Sequence, residues 1–404
     1  MQRKLLPLAI SAALASYNGL VMSDITAYGK VNLSLQNNSF DYLGLAQQNN
    51  WTLNSNSSFV GAKGKSKITD DLNAIYKLEY EVFVDGGGNQ GLGVNNSNTF
   101  NQRNTYVGLA STDWGQVIAG KNDTPLKMAA SGTDMFDNLV LGDINTYMVG
   151  EDRENNTIIY STPEMAGFTV TAATILGEET NKEGDKAQQQ NTALGDSLSG
   201  VIKYTANDMF WVALSGNSNV ENTNIVRLNA NLAVSDWTFN AQAQTADVSN
   251  NDLYENGNSG SYQSGIGSSK GLYGKYALWA ALNGGGSCSP GKLTTSACHD
   301  YSGGIDKQDA YMANAKYQMG DWAFKAQIGQ STSDTFRDFS ATGNRSFVAT
   351  QTAVGVDYAL NKNVTVFSYV SHIGVDLDNV ASLKGKANDD AEFTTGGVGL
   401  EAKF

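Results

Sequence analysis

Residues 392–404 read EFTTGGVGLEAKF. Val398, Leu400, Ala402 and Phe404 share one parity, and Gly399, Glu401 and Lys403 share the other. Side chains of a strand alternate between its two faces, so this is a strand with one apolar and one polar face. Soluble chains commonly finish in a polar, frayed tail, whereas this apolar face runs through to Phe404. Something must cover it, and the rest of the sequence narrows what that is.

The chain has 404 residues, with 43 Gly, only 4 Pro, 41% hydrophobic residues and a mean hydropathy of −0.31. Beyond the first 23 residues, no run approaches the ~20 consecutive apolar residues of a membrane helix. A barrel strand shows lipid only every second residue, so a membrane barrel can have the overall composition of a soluble protein. The alternation recurs throughout. In 25–38, Tyr28, Lys30, Asn32 and Ser34 oppose Gly29, Val31, Leu33 and Leu35. In 72–84, Lys77, Glu79 and Glu81 oppose Tyr76, Leu78, Tyr80 and Val82. In 223–235, Arg227, Asn229 and Asn231 oppose Val226, Leu228, Ala230 and Leu232. Strand 363–375 is ambiguous, because Val364, Val366 and Val370 sit on the opposite parity from Phe367 and Tyr369.

Tight turns, such as VSD at 234–236 and MGD at 319–321, alternate with Gly/Asn/Ser-rich connections at 39–50, 85–100, 124–155, 250–308 and elsewhere. That rhythm, over about sixteen strands including 51–68 and 101–112, is the pattern of an outer-membrane barrel. In hydrocarbon no sheet edge can stay unpaired, so the strand at 391–404 is expected to close the ring against 25–38.

The first 23 residues place Arg3 and Lys4 before an Ala-rich apolar run, a signal-peptide pattern. Both Ala13-Leu14-Ala15 and Val21-Met22-Ser23 fit a small-x-small cleavage site; cleavage after Ser23 is preferred because strand alternation begins at Asp24. The expected organisation is thus a leader, 1–23, and one barrel domain, 24–404. Loss of Arg3 and Lys4 takes the formal charge from −13 to −15, which argues against nucleic acid as a partner. Cys288 and Cys298 lie close together in CSPGKLTTSAC, and export to an oxidising compartment makes a local disulfide the expectation. A metal site would need more thiols or histidines than the nearby His299; no metal and no cofactor is expected. The only histidines, His299 and His372, adjoin no nucleophile motif, so the chain does not read as an enzyme.

ITAYGKVNLSL after the leader, SSFVGAKGKSKITDDLNAIYKLEYEV (57–82), NNTIIYSTPEMAGFTV (155–170) and above all RNTYVGLASTDWGQVIAGKNDTP (103–125) resemble the general, trimeric porins of Gram-negative outer membranes. Three positions depart from the pattern: Phe59 stands where a basic residue is usual, Lys121 where Arg is frequent, and Ala402 where an aromatic precedes the terminal Phe. The resemblance implies a homotrimer of transmembrane barrels in outer-membrane lipid and lipopolysaccharide. It also implies a third long loop, about 124–155, folded into each lumen. Its acids Asp134, Asp137, Asp143 and Glu151, with Asp152 beside them, would face pore-wall cations at Lys30, Lys63, Lys77, Arg103 and Lys121. A field across water of this kind orients dipolar solutes and needs no chemistry. The implied function is passive diffusion of ions and small hydrophilic solutes, with net acidity pointing to a mild cation preference. A sugar-specific channel and a structural or adhesive barrel are the alternatives. Phe404 would be the mark read by the outer-membrane insertion machinery.

Overall fold

The computed structural model describes residues 24–42, 46–86, 99–177, 194–221, 223–249, 305–335, 345–376 and 390–404. The leader, Cys288, Cys298 and most of the 250–308 connection fall outside them. Eighteen strand segments form one antiparallel sheet. They are β1 (Asp24–Tyr42), β2 (Ala46–Ser55), β3 (Phe59–Lys67), β4 (Leu72–Val82), β5 (Phe100–Gln102), β6 (Thr105–Ser111), β7 (Gly115–Asp123), β8 (Arg153–Ser161) and β9 (Phe168–Ile175). The second half comprises β10 (Leu198–Asn207), β11 (Phe210–Val220), β12 (Thr223–Val234), β13 (Trp237–Val248), β14 (Ile305–Met319), β15 (Trp322–Thr335), β16 (Arg345–Asn361), β17 (Val364–Asp376) and β18 (Asp390–Lys403).

The ring is closed and has sixteen staves. β2 and β3 pair in succession with β1, and β5 and β6 with β4, so each couple extends a single stave. β18 closes the ring on β1, from Lys30 opposite Lys403 to Asp41 opposite Glu392. The expected strands 51–68 and 101–112 are each interrupted. Ser57 adopts φ 54°, a left-handed conformation that breaks the ladder between β2 and β3. The connection expected at 39–50 shrinks to 43–45, because Asn side chains carry the hairpin outward. Asn37 Nδ2 donates to Asn49 at 3.0 Å and Asn38 Nδ2 to Thr52 at 2.9 Å.

The two faces of the sheet invert the order of a soluble protein. Val31, Leu35, Leu53, Ile328, Val354, Val398 and Leu400 point outward and are exposed, whereas Asn32, Ser34, Gln36, Asn38, Gln327, Gln351 and Thr395 are buried. A continuous exposed apolar belt needs an apolar surrounding. Cross-strand aromatic pairs mark one border of the belt: Trp237 with Tyr317, ring centroids 4.8 Å apart, and Trp322 with Tyr358, 4.5 Å apart. Each lies next to a short turn, where amphipathic rings sit at a membrane–water boundary.

Candidate functional site

The lumen is crossed by residues 124–152, between β7 and β8. Thr124 caps a short helix, α1 (Pro125–Ala130), by accepting from Lys127 N, and Pro125 supplies the helical φ without needing a hydrogen bond. The Thr124 N–H donates to Asp152 O at 3.1 Å, tying the two ends of the segment together. Beyond α1 the chain is held by its own aspartates. Asp134 accepts from the N–H of Phe136 (2.9 Å) and of Ile144 (2.8 Å); Asp143 accepts from Asn138 N (2.9 Å) and Asn145 N (2.7 Å). Short carboxylate side chains satisfy turn N–H groups that no ladder can reach.

This segment is fastened to the β10–β17 side of the barrel. Gln351 Nε2 donates to Gly142 O (2.7 Å), Gln327 Nε2 to Gly142 O (3.0 Å) and Gln308 Nε2 to Tyr147 O (3.1 Å). Fully buried Arg227 donates to Val149 O and to Gln244 Oε1, both at 2.8 Å, and pairs with Glu151. Leu126, Leu141, Ile144 and Met148 pack with inward-facing Ile225, Met312, Phe347, Ile373 and Phe393 as a sealed apolar core. Phe136 packs with Phe367 and Tyr369. The ambiguity of strand 363–375 has its cause here. Its inward aromatic residues lie under the crossing segment, and its outward valines lie in the apolar belt, so both faces are apolar.

The opposite wall is built by β1, β3, β4 and the start of β6. Buried Glu79 on β4 is its centre. It pairs with Lys77 (3.0 Å) and Arg103 (2.9 Å) and accepts from the Tyr28 hydroxyl at 2.8 Å. Arg103 also donates to Ser57 Oγ at 2.6 Å. Lys30 lies 3.6 Å from Glu401, which also holds Lys403 at 2.8 Å. The Tyr28 ring lies 5.3 Å from the Lys63 ammonium and 5.8 Å from that of Lys77; the Phe59 ring lies 5.3 Å from Arg103 and 5.7 Å from Lys30. Lys121 stands at a register shift between Gly120 and Asn122, and no ion pair among the described residues joins it to this group. Asp123 instead holds Arg153 (3.0 Å) and Lys127 (3.5 Å).

The candidate acids thus take distinct places. Glu151 is neutralised by Arg227, and Asp152 is buried. The carboxylate oxygens of Asp134, Asp137 and Asp143 all lie within 4.8 Å of one another, and Asp137 is open to water. Three oxygens so close could approach a cation, but Asp134 and Asp143 are already satisfied by main-chain donors. Crowding by protein, then the charge of Asp143, push the Asp137 carboxyl up to about 7, against the opposing pull of Lys30 and Lys127. Burial, reinforced by Asp143 and Asp137, raises Asp134 well above its ordinary value. Burial also raises Glu151, with Arg227 and Lys127 opposing. Sequence periodicity placed Glu79, Glu401 and Arg227 on polar faces, but only strand register and loop docking show which charge each meets.

The model of the Gram-negative porin family matches residues 9–377. Outer membrane porin protein 32 of Delftia acidovorans is 27% identical over 177 residues, 42% of this chain and 48% of that protein. A major outer membrane protein P.IA of Neisseria meningitidis is 29% identical over 114 residues, 28% of this chain and 26% of that protein. The aligned stretches therefore span half or less of these relatives. Among solved structures, an anion-selective porin from Comamonas acidovorans has a TM-score of 0.60 at 17% identity, covering 95% of this chain and 100% of that one. Salmonella typhi OmpF has a TM-score of 0.55 at 14% identity, covering 95% and 98%; both likenesses are of fold. Closed ring, apolar exterior and family match agree: this chain belongs to the Gram-negative porins, barrels of the outer membrane.

Proposed function

We propose that the protein is a general diffusion channel, a homotrimer whose barrels each pass ions and small hydrophilic solutes through the space between the 124–152 segment and the Glu79 wall. The observation that carries this reading is the crossing segment itself. It occupies one side of the lumen as a packed core and leaves the exposed Asp137 carboxylate within the field of Lys30. Transverse charge across a water-filled gap favours dipolar solutes and disfavours apolar ones. The rings of Tyr28 and Phe59 are engaged by cations, which speaks against an aromatic slide for sugar rings.

A mild cation preference follows from the pairing pattern at the level of the crossing segment. Lys30, Lys77 and Arg103 are offset by Glu401 and Glu79, whereas Asp137 is opposed only at a distance. Reversal potential across a planar bilayer under a KCl gradient should show cations favoured at pH 8; clear anion preference overturns the reading. Asp137→Asn should move the potential toward anions, and Arg103→Ala, which leaves Glu79 less compensated, toward cations. Closures in three steps should report the trimer.

The same carboxylates set a pH dependence. A group with its pKa raised to about 7 carries its charge above that pH and loses it as the pH falls through it. Cation preference should therefore decline between pH 8 and pH 5 in the wild type. The decline should be smaller in Asp137→Asn; an identical decline in both would remove Asp137 as the group responsible.

A further inference from the structure

The charges of the lumen are unevenly placed along its axis as well as across it. On β3, Phe59 is opposite Lys30, Lys63 is opposite Thr26, and Lys65 is opposite Asp24, next to the short turn at 68–71. A strand advances ~3.3 Å per residue, so with barrel tilt Lys63 and Lys65 lie roughly 10–15 Å nearer the short-turn end than Lys30 and the carboxylates it acts on. Both lysines are exposed on the lumen face. Across the ring, Lys203 on β10 shares the inward parity of buried Ser199, and Lys316 on β14 that of buried Asn314. The Lys203 ammonium sits 4.3 Å from the Trp211 ring, in the same end of the barrel.

None of these four lysines pairs with an acid among the described residues. Of the acids in that half, Glu79, Glu401 and Asp357 are each committed to other cations, Asp357 to Lys325 at 2.9 Å. Asp24 stands in register with Lys65, so Lys63, Lys203 and Lys316 are the lysines that no acid faces in register. The turn aspartates, such as Asp208, Asp236 and Asp321, stand at the rim in open water, where screening is strongest. Uncompensated positive charge therefore lines the short-turn vestibule. Negative charge, from Asp137 and Asp143, sits at the crossing segment above it, with no cation among the described residues paired to either.

We propose that the pore is electrically bipolar along its axis and passes ionic current asymmetrically, resting on the reading of the lumen as a water-filled channel. The negative zone gathers cations and the positive zone gathers anions. A field with the long-loop side positive drives both ions toward the junction between the zones and fills it with carriers. The opposite field draws both away and depletes it. Current is larger with the long-loop side positive.

The test is the current–voltage curve of single trimers in planar bilayers. The ratio of currents at equal and opposite voltage should be roughly 2 at about 0.1 M KCl, where the screening length is ~10 Å, and should approach 1 near ~1 M, where it is ~3 Å. Channels insert in either orientation, so the size of the ratio is the readout. The combined variant K63Q/K65Q/K203Q/K316Q should conduct with a ratio near 1, and D137N, which weakens the other pole, should lower it too. A symmetric wild-type curve at low salt overturns the proposal while leaving the channel standing, as does an unchanged ratio in both variants. Absence of any current overturns the channel reading beneath it.

Discussion

Replacing both Gly329 and Gly355 by leucine should release the 124–152 segment from the barrel wall and raise single-channel conductance by on the order of 1.5–2-fold, since conductance follows the width of the constriction. The argument rests on close approach. A Cβ built on Gly329 would meet the Tyr147 ring and hydroxyl of the crossing segment, and one on Gly355 would lie 2.9 Å from the Phe136 ring. Both rings lie where a wall side chain would otherwise stand, and only glycine leaves that space open. Leucine there displaces Tyr147 and Phe136, and with them the carbonyls of Tyr147 and Gly142 that Gln308, Gln327 and Gln351 hold. The ladder is unaffected, because both glycines have ordinary strand partners, Gln351 and Lys325. Gly374, where a Cβ would have His372 Nε2 as its nearest neighbour at 3.7 Å, is the control, and Gly374→Ala should change nothing. Liposome swelling with sugars of increasing size gives a second readout, with a larger limiting solute expected. Normal trimer yield with unchanged conductance and solute limit would show that the segment does not set the pore.

How far the sequence reaches is clear from particular residues. Period-two alternation sufficed for the strands, because lipid on one side and water on the other impose the same pattern on nearly every stave. It failed where a third environment intervenes. On β17, Phe367, Tyr369, Ile373 and Val375 face inward but meet protein rather than water, so the polar face disappears. Ser57 broke a strand through a backbone angle that its identity does not announce. At the site, residue types were legible and partners were not. Arg103 read as a free pore-wall cation until the β4–β5 register brought it onto Glu79, which also holds Lys77, two residues back on the same face of β4. Arg227, polar-face filler by periodicity, is the buried anchor of the segment that crosses the lumen. Asp134 and Asp143 shape the turn as well as charge it, so their replacement would alter both, and Asp137 is the cleaner electrostatic probe.

Phe404→Ser should reduce assembled trimer in cells by roughly tenfold, the largest loss expected from any single outward-facing side chain. Two interactions converge on this residue at the seam that closes the ring. Its N–H donates to Gly29 O at 3.1 Å and its carbonyl accepts from Gly29 N at 3.0 Å, extending the β1–β18 ladder beyond Lys403. Its ring lies on the outer face directly over Gly29, where any Cβ would collide with it and with Phe59 O at 2.8 Å. The substitution keeps both backbone bonds, each contributing about 1 kcal/mol net, and removes only the ring. Gly29→Leu attacks the same contact from the other strand and should lower the yield as well. If the ring acts through packing at the seam, Phe404→Ser and Gly29→Leu should both impair refolding of purified chains in detergent. If it acts through recognition by the insertion machinery, as proposed from the resemblance, Phe404→Ser should refold normally in detergent yet fail in cells, and Phe404→Tyr should restore assembly. Wild-type trimer levels for Phe404→Ser in both settings would remove the residue from assembly altogether, leaving the seam to its backbone bonds.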